Sequence, residues 1–253
     1  MTAGWRPGWT IIARKEFGDH LLSGRFVALI AVLGLAAAGA VFAASSTIRD
    51  VAPETQGIPA LFLKLFTLAD AEQVVPFPLV GFVTFLAPLL GIMFGFDAVI
   101  GERTGGTLPR LLSQPVHRDD VITGKFAAGL AVVGVMLTAL TSFVAGIGIF
   151  RLGISPEPTE VARLLVWVVF GVVYVGFWLA LATLTSVVVQ RAATSALIAM
   201  AVWLAMALFG SLLFGFVADV ISPAGTGASP AEQLSHLKAE AIISRISPIT
   251  LFG

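Results

Sequence analysis

The chain has 253 residues, of which 57% are hydrophobic and only 12% are charged, and its 15 Lys and Arg residues balance its 15 Asp and Glu residues. An average soluble domain carries about twice this charged fraction, and a nucleic-acid-binding domain needs clustered positive charge. The composition therefore excludes an ordinary soluble enzyme, a disordered chain and a nucleic-acid-binding protein. The absence of cysteine also excludes disulfides and thiolate metal sites. We expect an all-α, polytopic membrane helix bundle in contact with the lipid bilayer.

The first 25 residues are predicted to form an amphipathic helix that lies on the membrane surface. Apolar residues recur there at helical spacing, and charged residues occupy most of the remaining positions. Tryptophan on an apolar face with basic residues opposite is typical of an interfacial helix. A plain anchor without a mechanical role fits the same pattern. The residues that define the predicted interfacial face are Trp5, Trp9, Ile12 and Phe17.

Five later segments are long and apolar enough to cross a bilayer, which takes roughly 20 residues. The only charged residue within them is Asp97, close to one end of its segment. We interpret Asp97 as an interfacial carboxylate bonded to nearby backbone or an arginine; a contact with the loop that follows and a coupling-ion site are the alternatives. The predicted transmembrane helices are 26–44, 79–100, 126–150, 164–189 and 193–217.

The distribution of Lys and Arg predicts the orientation. Segments 1–25, 101–125 and 190–192 lie on one side of the membrane and hold nine basic residues, whereas the longer segments on the other side hold six. The positive-inside rule then places the amino terminus in the cytoplasm of a multi-pass plasma-membrane protein and residues 218–253 outside.

The loop 101–125 is the most informative segment. Thr107 can cap a short helix whose apolar face carries Leu108, Leu111 and Leu112, and Pro115 would end that helix. A short helix with one apolar side, presented into the cytoplasm, suits docking in a groove on another protein. The alternative is a loop that packs on its own bundle.

The same loop resembles the signature of the exporter-type (type-2) ABC transporter permeases, and in particular of the branch often called permeases for multicopper enzyme maturation. Members commonly show F-D-x-I-x-x-E, G-T-L, L-L-S-x-P-V-x-R and G-K in this order before the third span. The interfacial helix and the order of spans fit as well, so the resemblance covers nearly the whole chain. The matching residues are Phe96, Asp97, Val99 or Ile100, Glu102, Gly106, Thr107, Leu108, Leu111, Leu112, Ser113, Pro115, Val116, Arg118, Gly124 and Lys125.

The resemblance implies a single permease domain that forms the translocation pathway of an ABC exporter. It further implies a second permease copy, identical or related, and cytoplasmic ABC ATPase subunits that bind ATP and Mg²⁺, so this chain would hold no cofactor. The ATPase would dock on the loop. The docking residues implied are Glu102, Arg103, Gly106, Thr107, Leu108, Leu111, Leu112, Ser113, Pro115 and Arg118.

The family usually has six spans, whereas five are visible before Gly253, and we expect the sixth to be missing through truncation. No phosphate-binding loop is present, because Phe126 follows Gly124-Lys125 and Asp119 stands where the first glycine should be. We therefore expect a transport subunit with no catalytic or metal site, not an enzyme. The alternatives are an ion-coupled secondary transporter or channel, which would need several ionisable residues inside its spans, and a non-transporting membrane scaffold.

Overall fold

A computed structural model describes residues 8–51, 79–107, 117–153 and 155–221, together with residues 234 and 237. Every regular element in this part of the chain is an α-helix, as the composition predicts. The elements are α1 (Gly8–Leu21), α2 (Gly24–Val51), α3 (Leu79–Gly95), α4 (Ile100–Thr104), α5 (Arg118–Leu152), α6 (Pro158–Val188) and α7 (Ala192–Ile221).

Five segments of the described chain have the length and hydropathy of a membrane-spanning helix. They are Gly24–Phe42, Val83–Thr104, Arg118–Arg151, Pro158–Val188 and Ala192–Gly210. The helices themselves extend past several of the predicted bounds. The amide of His117 donates to Asp120 Oδ2 at the start of α5, and the amide of Glu157 donates to Glu160 Oε2 at the start of α6. Polar capping therefore sets these helix starts, beyond the apolar stretch that marks the membrane.

The second predicted span is not one continuous helix. Its helix α3 ends at Gly95, and a turn over residues 96–99 separates it from α4. Asp97 therefore lies in a turn between two helices. At the other break, residues 189–191 join α6 to α7 where polar residues interrupt the apolar run, and the hydroxyls of Thr185 and Ser195 lie 2.8 Å apart across that hairpin.

Helices α3 and α6 pack closely in the core. A Cβ atom added at Gly91 would lie 2.7 Å from both the amide nitrogen of Leu179 and the carbonyl oxygen of Val175. A Cβ atom added at Gly95 would lie 2.8 Å from Ala182 Cβ. The small-residue spacing of Gly91 and Gly95 thus brings two helices of the same chain together.

Helix α1 packs mainly against α5, so its apolar face is turned to protein. Ile12 is buried, and a Cβ atom added at Gly124 of α5 would lie 2.8 Å from Ile12 Cβ. Phe17 is half-buried against the core, and Trp9 is 37% exposed. A helix is present where the sequence predicts the amphipathic interfacial helix, and α5 covers one of its faces. Trp5 lies outside the described residues.

Candidate functional site

The candidate site is the segment 96–107, which we call the loop root because it leads into the predicted docking loop. Its attachment to α6 is made by Ser186, which is fully buried. The hydroxyl oxygen of Ser186 accepts hydrogen bonds from the amides of Val99, at 3.0 Å, and Ile100, at 3.2 Å. First-turn amides have no partner within their own helix, so this serine supplies the acceptor that α4 lacks.

A second attachment joins the loop root to α5 and α1 through Lys125. Its ammonium nitrogen lies 3.1 Å from Glu102 Oε1 and 3.1 Å from Glu16 Oε1. The three side chains are between 8% and 19% exposed. Glu16 is also 3.3 Å from the ammonium of Lys15, which is largely exposed. The arrangement shields two carboxylates from each other with one buried cation.

A third attachment joins the loop root to the start of α2. Arg25 Nη1 lies 2.7 Å from Asp97 Oδ2, and the guanidinium of Arg25 also lies over the ring of Phe96, 5.3 Å from its centroid. Asp97 is thus paired with an arginine, in agreement with its interpretation as an interfacial carboxylate. This pairing disfavours the coupling-ion alternative, since the carboxylate already has a cation.

The second and third attachments, made by Lys125 and Arg25, line a cavity of about 190 Å³. Its lining includes Phe94 and His20, whose rings meet edge to face at 5.1 Å. Burial is the main cause that lowers the pKa of His20 below its usual value, and the nearby Lys125 ammonium acts in the same direction, whereas Glu16 and other carboxylates oppose them. The lowered pKa favours the neutral imidazole, which keeps a further positive charge out of the cavity.

The loop root ends in a tight turn. Gly106 has a φ of 67°, a left-handed conformation that glycine adopts without strain. The amide of Thr107 then donates to the carbonyl oxygen of Glu102 at 3.1 Å, and the Thr107 hydroxyl donates to the Glu102 carboxylate. Thr107 therefore closes the end of α4. The helix that it is predicted to cap begins outside the described residues.

The structure places some of the predicted docking residues but not others. Glu102, Gly106 and Thr107 lie together in the loop root, and Arg103 Nη1 donates to the carbonyl oxygen of Val189 at 3.5 Å. Arg118 is the exposed first residue of α5. Five predicted docking residues lie outside the described part of the chain, namely Leu108, Leu111, Leu112, Ser113 and Pro115.

Several residues of the site were not predicted from the sequence. Glu16 is one of the charged residues of the first 25, and its spacing from Ile12 puts both on one helix face. Lys125 enters the sequence analysis only through the motif it matches, and Arg25 contributes only to the basic residues of segment 1–25. No sequence pattern identifies Ser186 as a residue of the site, because a serine within an apolar helix is common. Its hydrogen-bond partners are 86 and 87 residues away in sequence.

Replacing Ser186 with alanine is expected to destabilise the loop root by about 1–3 kcal/mol, because the buried amide of Ile100 and the half-buried amide of Val99 lose their acceptor. Faster hydrogen–deuterium exchange in residues 96–107 of the purified protein would report this change. Thr138→Ala is the matched control, since the Thr138 hydroxyl donates to Gly134 within its own helix. Equal exchange in the two variants would contradict the attachment.

Comparisons with known proteins agree with the resemblance seen in the loop. A family model described as "ABC-2 family transporter protein" matches residues 10–252. A probable ABC transporter permease protein NosY of Pseudomonas aeruginosa is 32% identical over 118 residues, which is 47% of this chain and 37% of that protein. The protein of the same name from Stutzerimonas stutzeri is 31% identical over 115 residues, 46% of this chain and 36% of its own length. The matches thus cover little more than a third of either relative.

Proposed function

Because this chain belongs to the ABC-2 transporter family, we propose that it is the membrane-spanning permease subunit of an ABC exporter, powered by a separate ATPase. The family match over residues 10–252 is the observation that carries the proposal. The permease provides the pathway, and ATP and Mg²⁺ bind the ATPase partner. A second permease copy completes the pathway.

The loop root supports a role in coupling. It is attached to α6 by Ser186, to α5 by Lys125 and to α2 by Arg25. Because the loop root is attached at three points, a displacement that an ATPase imposes on the loop would move three helices together. A flexible loop would absorb the same displacement.

The charge distribution within the spans disfavours the ion-coupled alternative. Charged residues of the five predicted spans and their helical extensions lie near helix ends, such as Lys125 in α5 and Glu160 in α6. Ion-coupled transporters place ionisable groups along the pathway near the middle of the bilayer. The charge distribution therefore favours an ABC exporter over an ion-coupled transporter.

Co-purification tests the function directly. The full chain, tagged and extracted from membranes of its own cells, is expected to retain an ABC ATPase, and the complex is expected to hydrolyse ATP in a vanadate-sensitive manner. A membrane preparation in which the tagged chain carries no ATPase under several mild detergents would contradict the proposal.

The proposed orientation puts the loop root in the cytoplasm. Cysteines introduced at Thr104 and Ser155, both exposed and at opposite ends of the bundle, test it. We expect an impermeant thiol reagent to label Ser155→Cys in intact cells and Thr104→Cys only after the membrane is opened. The chain has no native cysteine, so the background is clean. The reverse labelling pattern would overturn the orientation.

A further inference from the structure

Lys125 holds together parts of the chain that lie far apart in sequence. Glu102 lies at the start of the predicted loop 101–125 and Lys125 at its end, so their contact at 3.1 Å holds the two ends of the loop together. Glu16 of α1 binds the same ammonium at 3.1 Å. The loop and α1 therefore share one buried cation.

Backbone packing places α1 close enough for this contact. Gly124, the residue before Lys125, allows α1 to approach α5 so closely that an added Cβ would lie 2.9 Å from the carbonyl oxygen of Trp9. The close approach brings Glu16, one turn beyond Ile12, to the buried ammonium.

A buried ion pair is a poor way to gain stability. Removing charges from water offsets most of their attraction, and apolar groups of similar volume often stabilise as well or better. What such a pair does supply is a fixed geometry, because each charge loses its partner if the elements separate. The cluster of Glu16, Lys125 and Glu102 is thus better suited to positioning than to stabilisation.

Resting on the proposed function, we propose that Lys125 is a positioning residue that makes α1 move together with the docking loop. A displacement of the loop by the ATPase then reaches α1 through Glu102, Lys125 and Glu16. Without the ammonium, the loop root would still be attached to α6 and α2, but α1 would no longer follow it.

The first experiment uses the permease alone. Lys125→Met is expected to raise hydrogen–deuterium exchange at least about tenfold in both 8–21 and 96–107, because both lose the same buried partner. Lys15→Met is the matched control: it removes a cation from the same carboxylate, but one whose side chain is 66% exposed. An exposed pair contributes little, so exchange should be unchanged. Exchange that rises in neither segment, or in only one, would overturn the proposal.

The second experiment uses the complex with its co-purified ATPase, trapped with ATP and vanadate. In the native complex, trapping is expected to change exchange in 96–107 and 8–21 together. In Lys125→Met, the change should persist in 96–107 and be lost in 8–21. A native complex in which α1 does not respond, or a variant in which it responds normally, would overturn the proposal.

A neutral variant separates positioning from stability. Glu16→Gln, Glu102→Gln and Lys125→Met combined leave no unpaired charge in this cluster, so the thermal midpoint should return close to the native value. The response of α1 to trapping should remain lost; its recovery would show that packing alone moves α1 and would overturn the proposal. If the native chain retains no ATPase, the proposed function fails, and the experiment on the permease alone still decides whether Lys125 positions α1.

Discussion

Replacing Gly91 with alanine will destabilise this protein, whereas the same change at most helical glycines stabilises the helix. Alanine is favoured over glycine in a helix interior by about 1 kcal/mol. At Gly91, however, the new methyl group would lie 2.7 Å from two backbone atoms of α6, which can relieve the overlap only if the helices move apart. We expect a loss of about 1–3 kcal/mol, and a larger loss when Gly95→Ala is added.

Gly34→Ala is the matched control for this prediction. Gly34 also lies in a membrane-spanning helix, but a Cβ atom added there meets nothing within 4 Å among the described residues. The thermal midpoint in detergent should fall for Gly91→Ala and stay level or rise for Gly34→Ala. A fall of equal size in both would show that the overlap with α6 is not the cause.

The helical class and the membrane-spanning segments could be predicted from the sequence because hydrophobicity is a local property. An apolar run of sufficient length has few alternatives to a membrane helix, since every backbone polar group must be satisfied within the segment. Helix ends follow a different rule. Hydrogen bonds at His117 and Glu157 start α5 and α6 in polar sequence, where hydropathy gives no signal.

The candidate site was only partly predictable, because its contacts join distant parts of the chain. The sequence predicts that Asp97 bonds to nearby backbone or to an arginine, and it does not identify Arg25, which forms the ion pair. Glu16 appears in the sequence as a surface charge, and its burial depends on Lys125, more than a hundred residues later. A helical wheel for α1 shows which residues share a face, but it does not show that α5 covers that face.

The docking helix is predicted from a local sequence pattern, and its contacts with a partner are not part of that pattern. Its apolar residues, Leu108, Leu111 and Leu112, are known here from the sequence alone. Apolar side chains at this spacing share one helix face, and an apolar helix face is bound in the grooves of many proteins. The three attachments of the loop root hold residues 96–107, and the docking helix is predicted to begin directly after them.

We therefore expect Leu111→Asp combined with Leu112→Asp to abolish co-purification of the ATPase while membrane insertion is retained. Each leucine buried in a groove contributes about 1.5–3 kcal/mol, and an aspartate in its place adds a desolvation penalty. A total loss above about 3 kcal/mol weakens binding by roughly a hundredfold or more. Affinity purification from solubilised membranes, with the permease amount matched between samples, measures the effect.

Arg110→Gln combined with Gln114→Asp is the control, because it changes the loop charge by the same amount on the opposite helix face. This control should retain the ATPase. Loss of the ATPase in both variants would indicate that loop charge, not the apolar face, governs binding, and retention in both would place the docking surface elsewhere. If only the variant with both leucines replaced loses the ATPase, the contact lies on the apolar face of the predicted helix. That face follows directly after the segment that Lys125 connects to α1.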